Sequence, residues 1–273
     1  MITRAVHFLS RAKLLRAART GLRRGEFQVV YQPIVAVGTS ACAGVEALLR
    51  WQNETFGADG PGHFIEHLER TSLIGPLTLF VLRQASTDIK QTPGVDHWHL
   101  SVNICAQHLT SECFVDDVRQ AAGTMLNRTV LEITERSWAA RTPQVRAALR
   151  ALKQDGVLLS LDDFGTGFSN LDLLREFNFD LVKVDRQFLA MGDENRLVFL
   201  KAVAALVHAL GAKVVAEGVE TVEHHRAVER SGIDLAQGYR YGKPMTIEQL
   251  RAFASAEAMQ WQLTGRSRTT CPS

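Results

Sequence analysis

Asp162 and Asp163 stand side by side in the stretch LSLDDFGTGFSNL, residues 159–171. Adjacent like charges repel, so a fold gains little by pairing them after an apolar run unless a cation joins them. The same device, an apolar run closing on an acid or an amide, recurs along the chain. GVEALLR carries Glu46, LSVNI carries Asn103, LEITE carries Glu132 and Glu135, VVAE carries Glu217 and DLAQG carries Gln237. Singly, each reads as a solvated loop residue, and Asp before glycines is ordinary turn chemistry. Gathered in one place they would mean more. Five or six buried carboxylates raise one another's pKa unless cations balance them, and Lys183 is the single lysine in the set. All-oxygen donors suit hard ions such as Mg2+ or Mn2+. Two aspartates can serve two ions, and two ions about 3.5–4 Å apart form a site for in-line displacement at a phosphoryl group.

The elements that must gather these groups follow from hydrophobic periodicity. Eight short apolar runs read as strands: FQVVYQPIVAV, GVEALLRW, WHLSVNI, RTVLEIT, GVLLSLDD, DLVKVD, AKVVAEG and IDLAQGY. Between them, GPLTLFVLRQASTDIK, TPQVRAALRALKQ, ENRLVFLKAVAALVHALG and TVEHHRAVERSG carry apolar residues at helical spacing. Thr142 before Pro143 and Thr221 before Val222 mark helix starts, and Gly211 marks a stop. This alternation predicts a TIM-like (β/α)8 barrel, whose strand ends converge on one mouth. GTSACA is too short for a crossover, so the first strand is predicted to pair antiparallel with the second. A doubly wound open sheet is the other fold considered, and no GxGxxG motif supports it. Strand period places Glu46 with Arg50, and Lys183 with Asp185, on shared faces. Glu132 and Glu135, three apart, cannot share one, so Glu135 is expected in the following loop.

The net charge of +2 gives no support for a nucleic-acid polymer as partner. Residues 1–25 nevertheless hold seven Lys or Arg and no acid, leaving 24 bases against 29 acids in the remainder. Residues 1–20 are read as a basic connector helix, residues 21–258 as the barrel domain and residues 259–273 as a tail without periodicity. The four cysteines show no CxxC spacing, which suits a reducing compartment. No apolar run approaches the roughly 18 residues of a membrane span, so a cytoplasmic location is expected.

The ordered motifs EALLRW, SVNIC, LEITER, LDDFGTGFSNL, LVKVDRQF, VVAEGVET and QGYRYGKPM resemble those of the EAL family of cyclic-di-GMP phosphodiesterases, over about residues 21–253. The phrase LIGPLTLFVLRQA further resembles EAL domains at the cytosolic end of membrane-anchored sensors, which implies an upstream sensory region. The resemblance implies a barrel enzyme that hydrolyses cyclic di-GMP to linear pGpG with two Mg2+ or Mn2+ ions, working as a homodimer. It implies that Glu46, Asn103, Glu132 and Glu217 hold the first ion, that Asp162 bridges both and that Asp163 holds the second. Lys183 would orient the attacking water and Glu220 would steady it. Glu135 would anchor the loop that follows Asp163. Arg50, with Leu49, Gln32 and Gln237, would meet the substrate, Gln237 also supporting a metal-bound water. The chain departs from the family after EALLRW, where Gln52 to Thr55 replace the usual His-Pro start. It departs again at Glu66, where proline is usual, and at Phe168 in place of a loop tyrosine.

Two other readings compete. An EAL domain that has lost catalysis would bind the dinucleotide or a partner protein only, yet every ligand position is filled here. HFIEH, from His63 to His67, matches the HxxEH zinc pattern. It reads as a chance match on a surface helix, with no third zinc ligand in place.

Overall fold

The computed structural model describes residues 2–56, 61–69, 71–134, 142–165, 174 and 176–264, with side chains described between residues 12 and 259 of these, outside 61–63. Eight strands close into a barrel in sequence order. They are β1 (Phe27–Ala36), β2 (Cys42–Trp51), β3 (His99–Ile104), β4 (Thr129–Thr134), β5 (Leu158–Phe164), β6 (Leu181–Val184), β7 (Lys213–Ala216) and β8 (Leu235–Gln237). Each falls within one of the eight apolar runs or extends it by one or two residues. Strands β2 to β8 run parallel to their neighbours. β1 is antiparallel to both β2 and β8. The turn that permits this is short: Ser40 takes φ 57°, and its N–H returns to the Ala36 carbonyl at 2.7 Å. The fold is therefore TIM-like with one reversed strand.

Around the barrel lie α1 (Ile2–Arg24), α2 (Pro61–Leu68), α3 (Ile74–Lys90), α4 (Ala106–Leu109), α5 (Phe114–Ala122), α6 (Pro143–Gln154), α7 (Asp193–Ala209), α8 (Val222–Arg230) and α9 (Ile247–Thr264). The caps read from sequence form: Thr142 accepts from the Val145 N–H at 3.2 Å, and Thr221 from the His224 N–H at 3.1 Å. Gly211 takes φ 79° just after α7, a conformation glycine adopts without strain. Helix α9 differs from the sequence reading, for it runs through Met259 to Thr264. Its last turns, ASAEAMQWQLT, are rich in alanine, whose helix propensity outlasts the loss of apolar period.

Period-two alternation splits each strand's side chains. Leu100, Val102, Leu131, Ile133, Leu159, Leu161, Val182, Val214 and Ala216 are buried against the helix layer. The alternate set points into the barrel: Glu46 on β2, Ser101 and Asn103 on β3, Glu132 on β4, Ser160 and Asp162 on β5, and Lys183 on β6. Gly44 lets β2 and β3 approach, since a Cβ there would stand 2.5 Å from the His99 carbonyl oxygen. At the end of β2, Trp51 is sandwiched between Phe27 and Phe56, with ring centroids 5.0 and 5.7 Å away, and Phe64 meets its edge. Glu26 accepts from the Trp51 indole at 3.2 Å. Leu14 and Ala18 of α1 are buried in the same hydrophobic core.

One buried polar contact ties β1 to α3. The Tyr31 hydroxyl donates to Asp88 at 2.5 Å, and Gln84 donates to the other Asp88 oxygen at 3.0 Å. Tyr31 is fully buried, and burial with the adjacent carboxylate holds its hydroxyl protonated. Tyr31→Phe should leave Asp88 under-satisfied at a cost of about 1–3 kcal/mol. At roughly 2–4 °C per kcal/mol for a chain of this size, thermal denaturation should show a fall of several degrees.

Candidate functional site

The mouth at the C-terminal ends of the parallel strands collects the acids. Lys183 is 2% exposed, and its Nζ lies 2.7 Å from Glu217, 2.8 Å from Glu132, 3.3 Å from Glu46 and 3.5 Å from Asp162. Four carboxylates from β2, β4, β5 and the end of β7 thus converge on one ammonium from β6. Register explains the convergence: Asn103 pairs with Glu132, and Thr134 with Asp162, so functional groups at the strand tips form adjoining tiers.

Amides complete the ring. Asn103 Nδ2 donates to Glu46 Oε1 at 2.7 Å, and Gln237 Nε2 donates to Glu46 Oε2 at 2.7 Å. Gln237 Nε2 also reaches Gln32 Oε1 at 3.1 Å, and Gln32 donates onward to the Gly242 carbonyl at 3.2 Å. These contacts set each group's charge. Burial alone would raise the Glu46 pKa, but Lys183 and the two amides together hold it below the ordinary value. Among the described residues no amide donates to Glu132; burial, with Glu46 and Asp162 nearby, pushes its pKa well up. Burial and the same acidic neighbours raise Glu217 to about 7. Burial opposes the charge on Lys183, yet four carboxylates outweigh it and hold the ammonium protonated.

Asp162 and Asp163 share the site through a break in the strand. In a regular strand they would face opposite ways. The β5–β6 register shifts between Leu161 and Phe164, and Asp163 takes φ 58°. This bulge turns Asp163 toward the mouth, where carboxylate oxygens of Asp162, Asp163 and Glu217 lie within 4.8 Å of one another. Gly165, at φ 92°, completes the turn with Phe188 packed where its side chain would be. Asp162 Oδ1 is buried with the Lys183 ammonium 3.5 Å away and no hydrogen-bond donor among the described residues. An all-oxygen set with a carboxylate oxygen held only by a distant ammonium, and with more acids than bases, fits hard divalent cations.

Other expected residues are placed less centrally. Arg50 is half-buried, its Nη1 donating to the Leu49 carbonyl at 2.9 Å; burial lowers its pKa. Leu49, Arg50 and Asn103 line a cleft of about 260 Å3 with Ile65 and Glu69 near α2 and Thr78 on α3. Sequence reasoning missed this cleft wall, although Glu66 and the phrase LIGPLTLFVLRQA mark the two segments that supply it. Glu220 is exposed, and no ion pair joins it to Lys183 among the described residues. The N-cap at Thr221 begins α8 directly after it and leaves it at the rim. Asp185, expected to share a face with Lys183, instead caps a 3-10 turn by accepting from the Gln187 N–H at 2.8 Å. Glu135 lies outside the described residues. Of the HFIEH pair, His67 is exposed, and the His63 side chain is outside the described set.

Comparison with known proteins agrees with this geometry. The EAL domain family model matches residues 15–244. The cyclic di-GMP phosphodiesterase NbdA of Pseudomonas aeruginosa is 35% identical over 265 residues, covering 91% of this chain and 34% of NbdA. The chain spans about a third of the length of the first curated relatives it matches. The solved PaMucR phosphodiesterase in complex with c-di-GMP superposes with a TM-score of 0.79 at 34% identity. That match covers 87% of this chain and 99% of the other. Klebsiella pneumoniae BlrP1, solved with manganese and cy-diGMP, gives a TM-score of 0.67 at 28% identity, over 81% of this chain and 56% of BlrP1. With the family model matched over most of its length, the chain belongs to the EAL domain family.

Proposed function

We propose that the chain hydrolyses cyclic di-GMP to linear pGpG. The observation that carries this reading is the closure of Glu46, Glu132, Asp162 and Glu217 on Lys183 at one barrel mouth. Glu46, Asn103, Glu132 and Glu217 would hold one divalent cation, Asp162 would be shared, and Asp163 would hold a second. Mg2+ or Mn2+ fits this donor set. Bound there, the pair would supply Lewis acidity and a water of lowered pKa.

The chain's own residues do the positioning. Asn103 and Gln237 fix both Glu46 oxygens, and Gln32 fixes Gln237. Lys183 Nζ, held in the middle of the acids, would donate to the attacking water and orient it. Arg50, at the edge of the cleft, would take a non-bridging phosphate oxygen, with Leu49 as an apolar wall for a base. Glu220 would act through water from the rim, and Glu135 would anchor the loop after Asp163. Residues 21–258 would form the domain, with residues 1–20 as connector to an upstream sensory or membrane-anchored region. Two copies would pair, a reading favoured by α7, which leaves Val198 69% exposed beside exposed Ala202, Ala205 and Ala209.

Purified protein should convert cyclic di-GMP to pGpG with Mn2+ or Mg2+ and not in EDTA. Binding without turnover would favour a silent sensor instead. Glu46→Ala should lower turnover by more than about a hundredfold, since even outer-shell losses at metal sites cost about 10–100-fold. Asp163→Asn should cut kcat more than nucleotide affinity. His67→Ala should leave divalent-dependent hydrolysis intact; loss of a strictly zinc-dependent activity in that variant would revive the peptidase reading.

Stability should carry its own signature. The folded-state pKa of Glu217, about 7, lies above its ordinary 4.5, so the folded form binds this proton more tightly than the unfolded one. The contribution is complete below about pH 4.5 and is lost as pH rises through about 7. In EDTA, the melting-temperature difference between wild type and Glu217→Gln should therefore shift toward the variant over that range. Divalent ion should restore the wild type at pH 8.

A further inference from the structure

The cleft beside Arg50 is small for a whole cyclic dinucleotide. Its volume of about 260 Å3 falls below the roughly 300–1,000 Å3 of a pocket for a whole small ligand. It is lined mainly by apolar atoms of β2, β3, α2 and α3, which suits a single base. The second base of a two-base ligand must rest outside it, beyond the phosphate that Arg50 would hold.

Tyr239 follows the end of β8 at the barrel mouth. It is 56% exposed, although Gln237, two residues earlier, is 4% exposed inside the ring. It is outside the cleft lining, yet its phenol lies within electrostatic reach of Arg50. Lys243 Nζ lies 5.3 Å from the ring centroid. The turn that carries the ring is fixed by its backbone. Val219 donates to the Gln237 carbonyl at 3.0 Å, Arg240 to Val219 at 3.1 Å and Tyr241 to Gly238 at 3.0 Å. At Gly238 a Cβ would stand 2.2 Å from the Val219 oxygen, so the strand and turn are pressed together there. An aromatic face offered to solvent on a rigid turn, flanked by Arg50 and Lys243, has the chemistry of a base-stacking platform for an anionic nucleotide.

We propose that Tyr239 stacks on the second purine of the substrate and sets its affinity. This inference rests on the phosphodiesterase reading above. The test is steady-state hydrolysis of cyclic di-GMP with Mn2+ by wild type, Tyr239→Ala, Tyr239→Leu and Tyr239→Phe, with thermal melting of each. Loss of one base–aromatic stack should raise KM about tenfold or more in the Ala variant, with kcat changed by less than about twofold. Tyr239→Phe should restore KM, and Tyr239→Leu, which keeps apolar bulk without a ring, should not. Melting temperatures should agree within about 2 °C. A KM in the Ala or Leu variant equal to that of an active wild type overturns the stacking role and leaves the phosphodiesterase reading standing. A wild type without hydrolysis overturns both.

Discussion

Everything at the barrel mouth is arranged around one electrostatic imbalance. A single buried ammonium faces four carboxylates within 3.5 Å, and a fifth, Asp163, adjoins them. One positive charge cannot offset that many negative ones in a desolvated place, and such clusters cost folding free energy. The cost is distributed unevenly. Glu46 keeps its charge because two amides and the lysine converge on it. Glu132 and Glu217 lack that support and hold their protons more tightly. The surplus of acid is a binding energy held in reserve, which divalent cations would release. The barrel supplies the rigidity that keeps the acids from moving apart.

The second constraint is geometric. A strand offers one side chain per two residues to a given face, yet the site draws on two consecutive aspartates. The bulge in β5 resolves the conflict with one left-handed residue, Asp163, and a glycine two residues later. Asp tolerates the left-handed conformation better than most non-glycine residues, because its short polar side chain can bond locally. The same residue type therefore suits both the turn and the carboxylate cluster. A β-branched or bulky residue there would lose both.

Most of the frame was legible in the sequence because its signals are local. The eight apolar runs, the Thr142 and Thr221 caps and the short turn before β2 each act within a few residues, and each formed as read. Glu46, Asn103, Glu132, Asp162, Lys183, Glu217 and Gln237 were legible for a related reason: a barrel converts position at a strand end into proximity. What escaped depends on the meeting of distant segments. The cleft wall joins Ile65 and Glu69 near α2 to Thr78 on α3 and to β2, and no spacing rule links these. The conformation of Asp163 was hidden because strand period alone says that neighbours diverge. Asp185 shows the reverse error. The face-sharing rule holds only while a strand lasts, and β6 ends at Val184.

The reversed first strand changes where the polypeptide enters the barrel. In an all-parallel barrel the segment preceding the first strand arrives at the floor, far from the chemistry. Here β1 begins at the rim, with Phe27 opposite Trp51, and α1 reaches it through Gly25 and Glu26. The N-terminal helix is thereby delivered to the doorway of the site, one residue along β2 from Arg50. A displacement of that helix would act on the rim beside Arg50 before it reached the rest of the barrel.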